Sequence, residues 1–140
     1  MAHVVGLTAR LGAVVAALLL PACSGGGPKL YPVRGKVLYL DQPAEGATVV
    51  FQLAGGSADA PMPSGTVGAD GSFSLSTYPH GTGAPAGEYV VLITWLAPKT
   101  DQLENSKNKL PGRYSMATGS PLRATVKPGT NELEPFRLTK

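Results

Sequence analysis

From Leu30 onward the chain is written in short apolar runs closed by Gly- and Pro-containing turns, and no segment has helical periodicity. In "VRGKVLYL", Val33, Gly35, Val37 and Tyr39 fall on one face of a strand, with Arg34 and Lys36 on the other. "DQPAEG", Asp41 to Gly46, is a polar turn, and "ATVVFQL", Ala47 to Leu53, is a second strand rich in β-branched and aromatic residues. "AGGSADAPMPS" is a loop. In "GTVGADGSFSLS", Val67 and Phe73 flank Asp70-Gly71, a pair that accepts the positive φ of a tight hairpin turn. "EYVVLITWL" is the most apolar run. Tyr89, Val91, Ile93 and Trp95 share one face and Val90, Leu92 and Leu96 the other, which predicts a central strand covered on both sides. "PLRATVKPGTNELEPFRL" gives two more strands around a turn at Lys127 to Asn131. About seven strands at this spacing predict an all-β sandwich of ~100 residues. The composition agrees, with only 15% charged residues against 18 glycines and 13 prolines.

The segment before Leu30 has a different character. Arg10 and the amino terminus supply positive charge, and Leu11 to Ala22 is an unbroken apolar stretch. It is shorter than the ~20 residues a spanning helix needs, and its length and flanks suit a signal-peptide core. It runs directly into Cys23, the only cysteine, which therefore has no intramolecular disulfide partner. Leu20-Pro21-Ala22-Cys23 resembles the bacterial lipobox, with Pro21 standing where a small or β-branched residue is usual. The resemblance implies a signal peptide over residues 1–22, a diacylglycerol-modified Cys23 as the new N-terminus, and a flexible tether to residue 29. Residues 30–140 are then the one folded domain. Several acyl chains together hold a protein on a bilayer where one holds only marginally. Ser24, rather than Asp, after the cysteine favours the outer membrane over the inner.

"VRGKV", "PAEGATVVF", "GADGSFSL", "PAGEYVVLI" and "ATVKPGTNELEPFRL" together resemble the carboxypeptidase regulatory-like domain. The matching positions are Gly35 and Val37, Gly46-Ala47 and Val49, Asp70-Gly71 and Phe73, and Gly87 and Tyr89. "YPHGTGAPAGEY" and "LPGRYSMATGSPLRATV" look closer still to the short lipoprotein form of that domain in planctomycete bacteria. The resemblance implies a seven-stranded Greek-key sandwich of transthyretin-like (prealbumin-like) fold and an envelope location, with no chemistry attached. In that fold Gly87 would let the chain bend into the central strand, and Tyr89 would bury its ring while its hydroxyl ties down a loop. Hydroxyisourate hydrolases share the fold but carry several histidines and a C-terminal Tyr-Arg-Gly-Ser, whereas this chain ends in "FRLTK".

No constellation for catalysis is legible. Beyond the signal segment the one histidine is His80, in a Pro- and Gly-rich loop. Its competing reading is the centre of a small hydrolase; no Gly-x-Ser-x-Gly elbow accompanies it. "GADGSF" has one carboxylate, too few for a calcium loop. There is no phosphate-binding glycine loop, and the net charge of +3 is scattered, so no cofactor or nucleic-acid partner is expected. Two loops remain. Ala97 to Ser120 is polar and long, with a brief helical turn expected within Thr100 to Lys107; Lys99, Lys107, Lys109 and Arg113 outnumber Asp101 and Glu104 there. With the "YPHGTG" loop it offers Tyr78, Lys109, Arg113 and Tyr114 as candidates for noncatalytic contact with an envelope protein or a glycan.

Overall fold

The computed structural model describes residues 27–57, 59–97 and 107–140. The signal segment, Cys23, the start of the tether, Lys99 and the helical turn expected within Thr100 to Lys107 lie outside the described residues. Those described form two sheets and no α-helix; the only helical piece among them is one 3-10 turn, Gly112–Ser115. Hence no described helix is long and apolar enough to cross a membrane.

The strands are β1 (Val33–Tyr39), β2 (Gln42–Pro43), β3 (Thr48–Leu53), β4 (Ser64–Thr66), β5 (Ser72–Ser74), β6 (Ser76–Thr77), β7 (Gly81–Thr82), β8 (Gly87–Thr94), β9 (Arg123–Val126), β10 (Asn131–Glu132) and β11 (Phe136–Leu138). In the first sheet β1 is the axis. It pairs in parallel with β10 and then β11 along one edge, and antiparallel with β5 and then β2 along the other. The second sheet runs β7-β6-β4-β3-β8-β9, all antiparallel. The sheets enclose one core.

The alternation expected of β1 is present, with Val33 and Val37 buried and Arg34 and Lys36 exposed. On β8, Tyr89, Val91 and Ile93 are at most 1% exposed. Trp95 is only partly buried, because β8 stops at Thr94 and the indole lies past the sandwich's rim. All three phenylalanines meet in the core. Phe51 of the second sheet lies 6.5 Å from Phe73 of the first, Phe73 stacks on Phe136 at 6.2 Å, and Tyr89 sits 5.5 Å from Phe51. Each such pair adds ~0.5–1.5 kcal/mol beyond the burial of its area.

Turns join the sheets in ways the sequence pattern did not convey. Gly71 takes φ 86°, and Asp70 Oδ1 accepts from Ser72 N and Oγ at 3.0 and 2.6 Å, as an Asp-Gly turn requires. The arms beyond this turn are not one simple hairpin. Ser64 faces Ser76 across it, but Ser72–Ser74 pairs with β1 instead. The stretch 72–77 therefore belongs to the first sheet in its first half and to the second sheet in its second. The strands on either side of the Lys127–Asn131 turn likewise part, β9 to β8 and β10 to β1. The turn expected over Asp41 to Gly46 is tighter and earlier. Leu40 (φ 50°) and Asp41 (φ 65°) alone connect β1 to β2, and Ala44 is fully buried.

Candidate functional site

Because β1 and β8 run in the same direction through the sandwich, the molecule has two distinct ends. The near end collects the start of β1, the β6–β7 turn, the approach to β8 and the turn between β9 and β10. Tyr31 exchanges backbone hydrogen bonds with Ala84 at 2.8 and 2.9 Å, and Asn131 N donates to Pro32 O at 2.9 Å. Asn131 organises the last turn. Its side-chain amide donates to Lys127 O, Gly129 O and Pro32 O, while its Oδ1 accepts from Lys127 N. At the far end, some 20 Å along β1 by strand geometry, lie Tyr39, the Leu40-Asp41 turn, Trp95 and the returning segment from Lys107.

Tyr78 stands at the near end and is 93% exposed. The turn beneath it is fixed: His80 N donates to Thr77 O at 2.7 Å, and the buried Thr77 hydroxyl donates to Gly83 O at 2.7 Å. The end of the expected tether is held against this turn. Gly27 lies on the His80 imidazole so closely that a Cβ at residue 27 would overlap the ring.

Lys109 and Arg113 are at the far end, so they form no joint surface with Tyr78. Two strands, β4 and β3, also stand between β6 and β8 in the sheet. Lys109 is exposed with its ammonium 4.3 Å from the Trp95 ring centroid. The base of the segment is pinned to the strand it left. Lys109 N donates to Trp95 O (2.7 Å), Ala97 N to Lys107 O (3.0 Å), and Asn108 Oδ1 accepts from Trp95 N (3.0 Å) and Leu110 N (3.1 Å). Tyr39 meets the indole edge-to-face at 6.1 Å, and Trp95 Nε1 donates to Glu45 O at 2.8 Å.

Tyr114 is not an exposed anchor. It is 3% exposed and belongs to the core with Leu110. Its hydroxyl accepts from Thr139 N at 3.0 Å, and Arg113 lies over its ring at 4.7 Å. Arg113 Nη2 donates to Thr139 O and Lys140 O, each at 3.0 Å. This pair clasps the residues after β11 and closes the side of the sandwich beside the far half of β8. Ser120 seals the same side by donating to Val91 O at 2.6 Å. Burial pushes the Tyr114 hydroxyl up, but the Thr139 hydrogen bonds and the Arg113 charge outweigh it and hold the group below its ordinary value. The sequence hid this role because Thr139 is 25 residues away.

His80 and the one serine–carboxylate hydrogen bond among the described residues lie apart. The Ser72–Asp70 pair belongs to the turn before β5, level with Lys36 and Val37 of β1, whereas His80 is at the near end. Among the described residues His80 makes no side-chain hydrogen bond to a serine or carboxylate, and no three His, Cys, Asp or Glu side chains cluster as metal ligands. A cleft of about 470 Å³ over β1 and β5 is lined by Arg34, Lys36, Asp70 and Glu132, charges of both signs. A groove of about 480 Å³ on the outer face of β3 and β8 is mainly apolar, with Val50, Leu53, Met62 and Leu92. Compared with known proteins, the chain matches no family model, no curated protein and no solved structure.

Proposed function

We propose that this chain is an envelope lipoprotein, anchored through acylated Cys23, whose β-domain is a noncatalytic binding or structural module turned toward a protein partner. The observation that carries this reading is the polarity of the domain. The chain reaches it at the near end, while half-exposed apolar side chains gather at the far end: Leu40 is 47% and Leu96 53% exposed, beside Trp95 and Tyr39. An anchor at one end and an adhesive surface at the other is the arrangement a tethered module needs. A protein fits the far end better than a glycan. The Lys109 ammonium already sits over the indole, which leaves Trp95 a poor stacking platform for a sugar ring. The transthyretin-like, carboxypeptidase regulatory-like assignment belongs to the same proposal and is supported by the two-sheet core and the Asp70-Gly71 turn.

The anchor is tested by mass spectrometry of the N-terminal peptide from native membranes. Acyl chains on Cys23 are expected, and Cys23→Ala should move the protein out of the membrane fraction without lowering its melting temperature. A free thiol at Cys23, or a mature N-terminus elsewhere, would overturn the reading.

A further inference from the structure

We infer that the near end is itself a lipid-contacting surface, on which Tyr78 and the lysines around it rest against anionic headgroups; this rests on the lipid anchor at Cys23 proposed above. Chain length comes first. Three residues separate Gly27 from Cys23, and the four steps of fully extended chain between them span at most ~14 Å. Gly27 packs against the His80 ring, and the chain is tied to the domain at Tyr31, which is bridged to Ala84. An acylated Cys23 therefore keeps the Tyr78–His80 turn within reach of the bilayer surface.

The chemistry of that end suits the position. Tyr78 projects from a turn locked by the Thr77 hydrogen bonds, and at 93% exposed it leaves almost its whole ring for an outside contact. Tyrosine is a preferred side chain at a membrane–water boundary, where the ring meets acyl chains and the hydroxyl stays wet. Residues 27–33, 76–87 and 127–131 carry Lys29, Lys127 and His80, while exposed Glu88 opens β8 on this side and the loop that leaves β3 beside it carries Asp59. Lys29 and Lys127 are both exposed, and the Lys29 ammonium lies 5.7 Å from the Tyr31 ring centroid. Lys29 and Lys127 are the groups there that complement anionic lipid. The occupant is thus a phospholipid surface rather than a second protein.

The test uses the acylated protein purified from membranes and reconstituted into vesicles of equimolar phosphatidylcholine and phosphatidylglycerol. Acylation consumes the native thiol, so Thr82→Cys, on the exposed β7 side of the turn, gives a single labelling position; Leu96→Cys gives the far-end control. A headgroup-attached quencher should quench a fluorophore at residue 82 strongly and one at residue 96 weakly. Adding Tyr78→Ser should bring the residue-82 signal down to the far-end level. Adding Lys29→Gln with Lys127→Gln should shift the docked-to-undocked ratio by roughly tenfold toward undocked. Equal quenching at both positions, or a residue-82 signal indifferent to Tyr78→Ser, overturns the contact while leaving the anchor standing. Absence of acyl chains on Cys23, read by mass spectrometry on the same preparation, removes the anchor and the contact together.

Discussion

Tyr89 does two jobs with one side chain. Its ring fills the core against Phe51, and its hydroxyl donates to Pro85 O at 2.7 Å, fixing the approach to β8. Tyr89→Phe should keep the first and lose the second, leaving a carbonyl without its partner, at a cost of ~1–2 kcal/mol; Tyr89→Ala should cost ~3 kcal/mol or more. Urea unfolding of the two variants separates the contributions, and equal losses would contradict the division. Asp70 gives a pH signature. The Ser72 hydroxyl and amide, with a smaller contribution from Lys36, hold its carboxyl below the ordinary aspartate value of 3.8. A folded-state value below the unfolded one means stability present above the unfolded pKa and lost as pH falls through the folded pKa. The carboxyl is fully solvent-exposed, so the effect belongs to acid pH alone and is small. An NMR titration should place Asp70 below 3.8, and Ser72→Ala should bring it back toward that value.

Among the elements, the Leu40-Asp41 turn is the one whose residues disagree with its geometry. Two consecutive non-glycine residues at positive φ make the two-residue connection that Asn-Gly ordinarily fills. Leu40 is half exposed, and the Asp41–Arg137 pair is solvated, so little packing opposes a change. Replacing Leu40-Asp41 with Asn-Gly should stabilise the fold by ~1–2 kcal/mol, measured as a higher urea midpoint at unchanged slope. An unchanged or lower midpoint would show that Leu40 contributes packing its exposure does not reveal. The same element shows what the sequence could and could not say. Alternation along β1 and β8 was legible because period two is local, and Asp70-Gly71 announced its turn. Leu40-Asp41 announced nothing, so the turn was expected too late. The exchange of partners within residues 72–77 depends on where β1 lies, which no window of neighbouring residues encodes. Tyr78 was legible as exposed because glycine and proline surround it. Tyr114 sits in equally polar sequence, yet its burial is decided by Thr139 and the end of β11.

At the scale of the whole molecule, the separation of near and far ends splits one expected surface into two. Tyr78 and Arg113 cannot serve a single partner, and the residues meant for recognition have divided into an exposed turn at the near end and a clasp on the last strand. The parallel pairing of β1 with β11 has a mechanical consequence. The proposed anchor would pull on the start of β1, and Thr139 and Lys140 follow the end of β11 at the opposite pole. Tension between those points pulls two neighbouring strands past each other, so the hydrogen bonds joining Val37–Tyr39 to Phe136–Leu138 are loaded together in shear. Tension between Gly27 and Ala86, which lie on the same side of the antiparallel Tyr31–Ala84 bridge, would instead peel it apart one bond at a time. Single-molecule extension should record a several-fold higher rupture force for the first attachment than for the second, and similar forces would contradict the parallel pairing. A domain so strung can stay folded while its two poles are drawn apart, the load that the proposed anchoring would place on it.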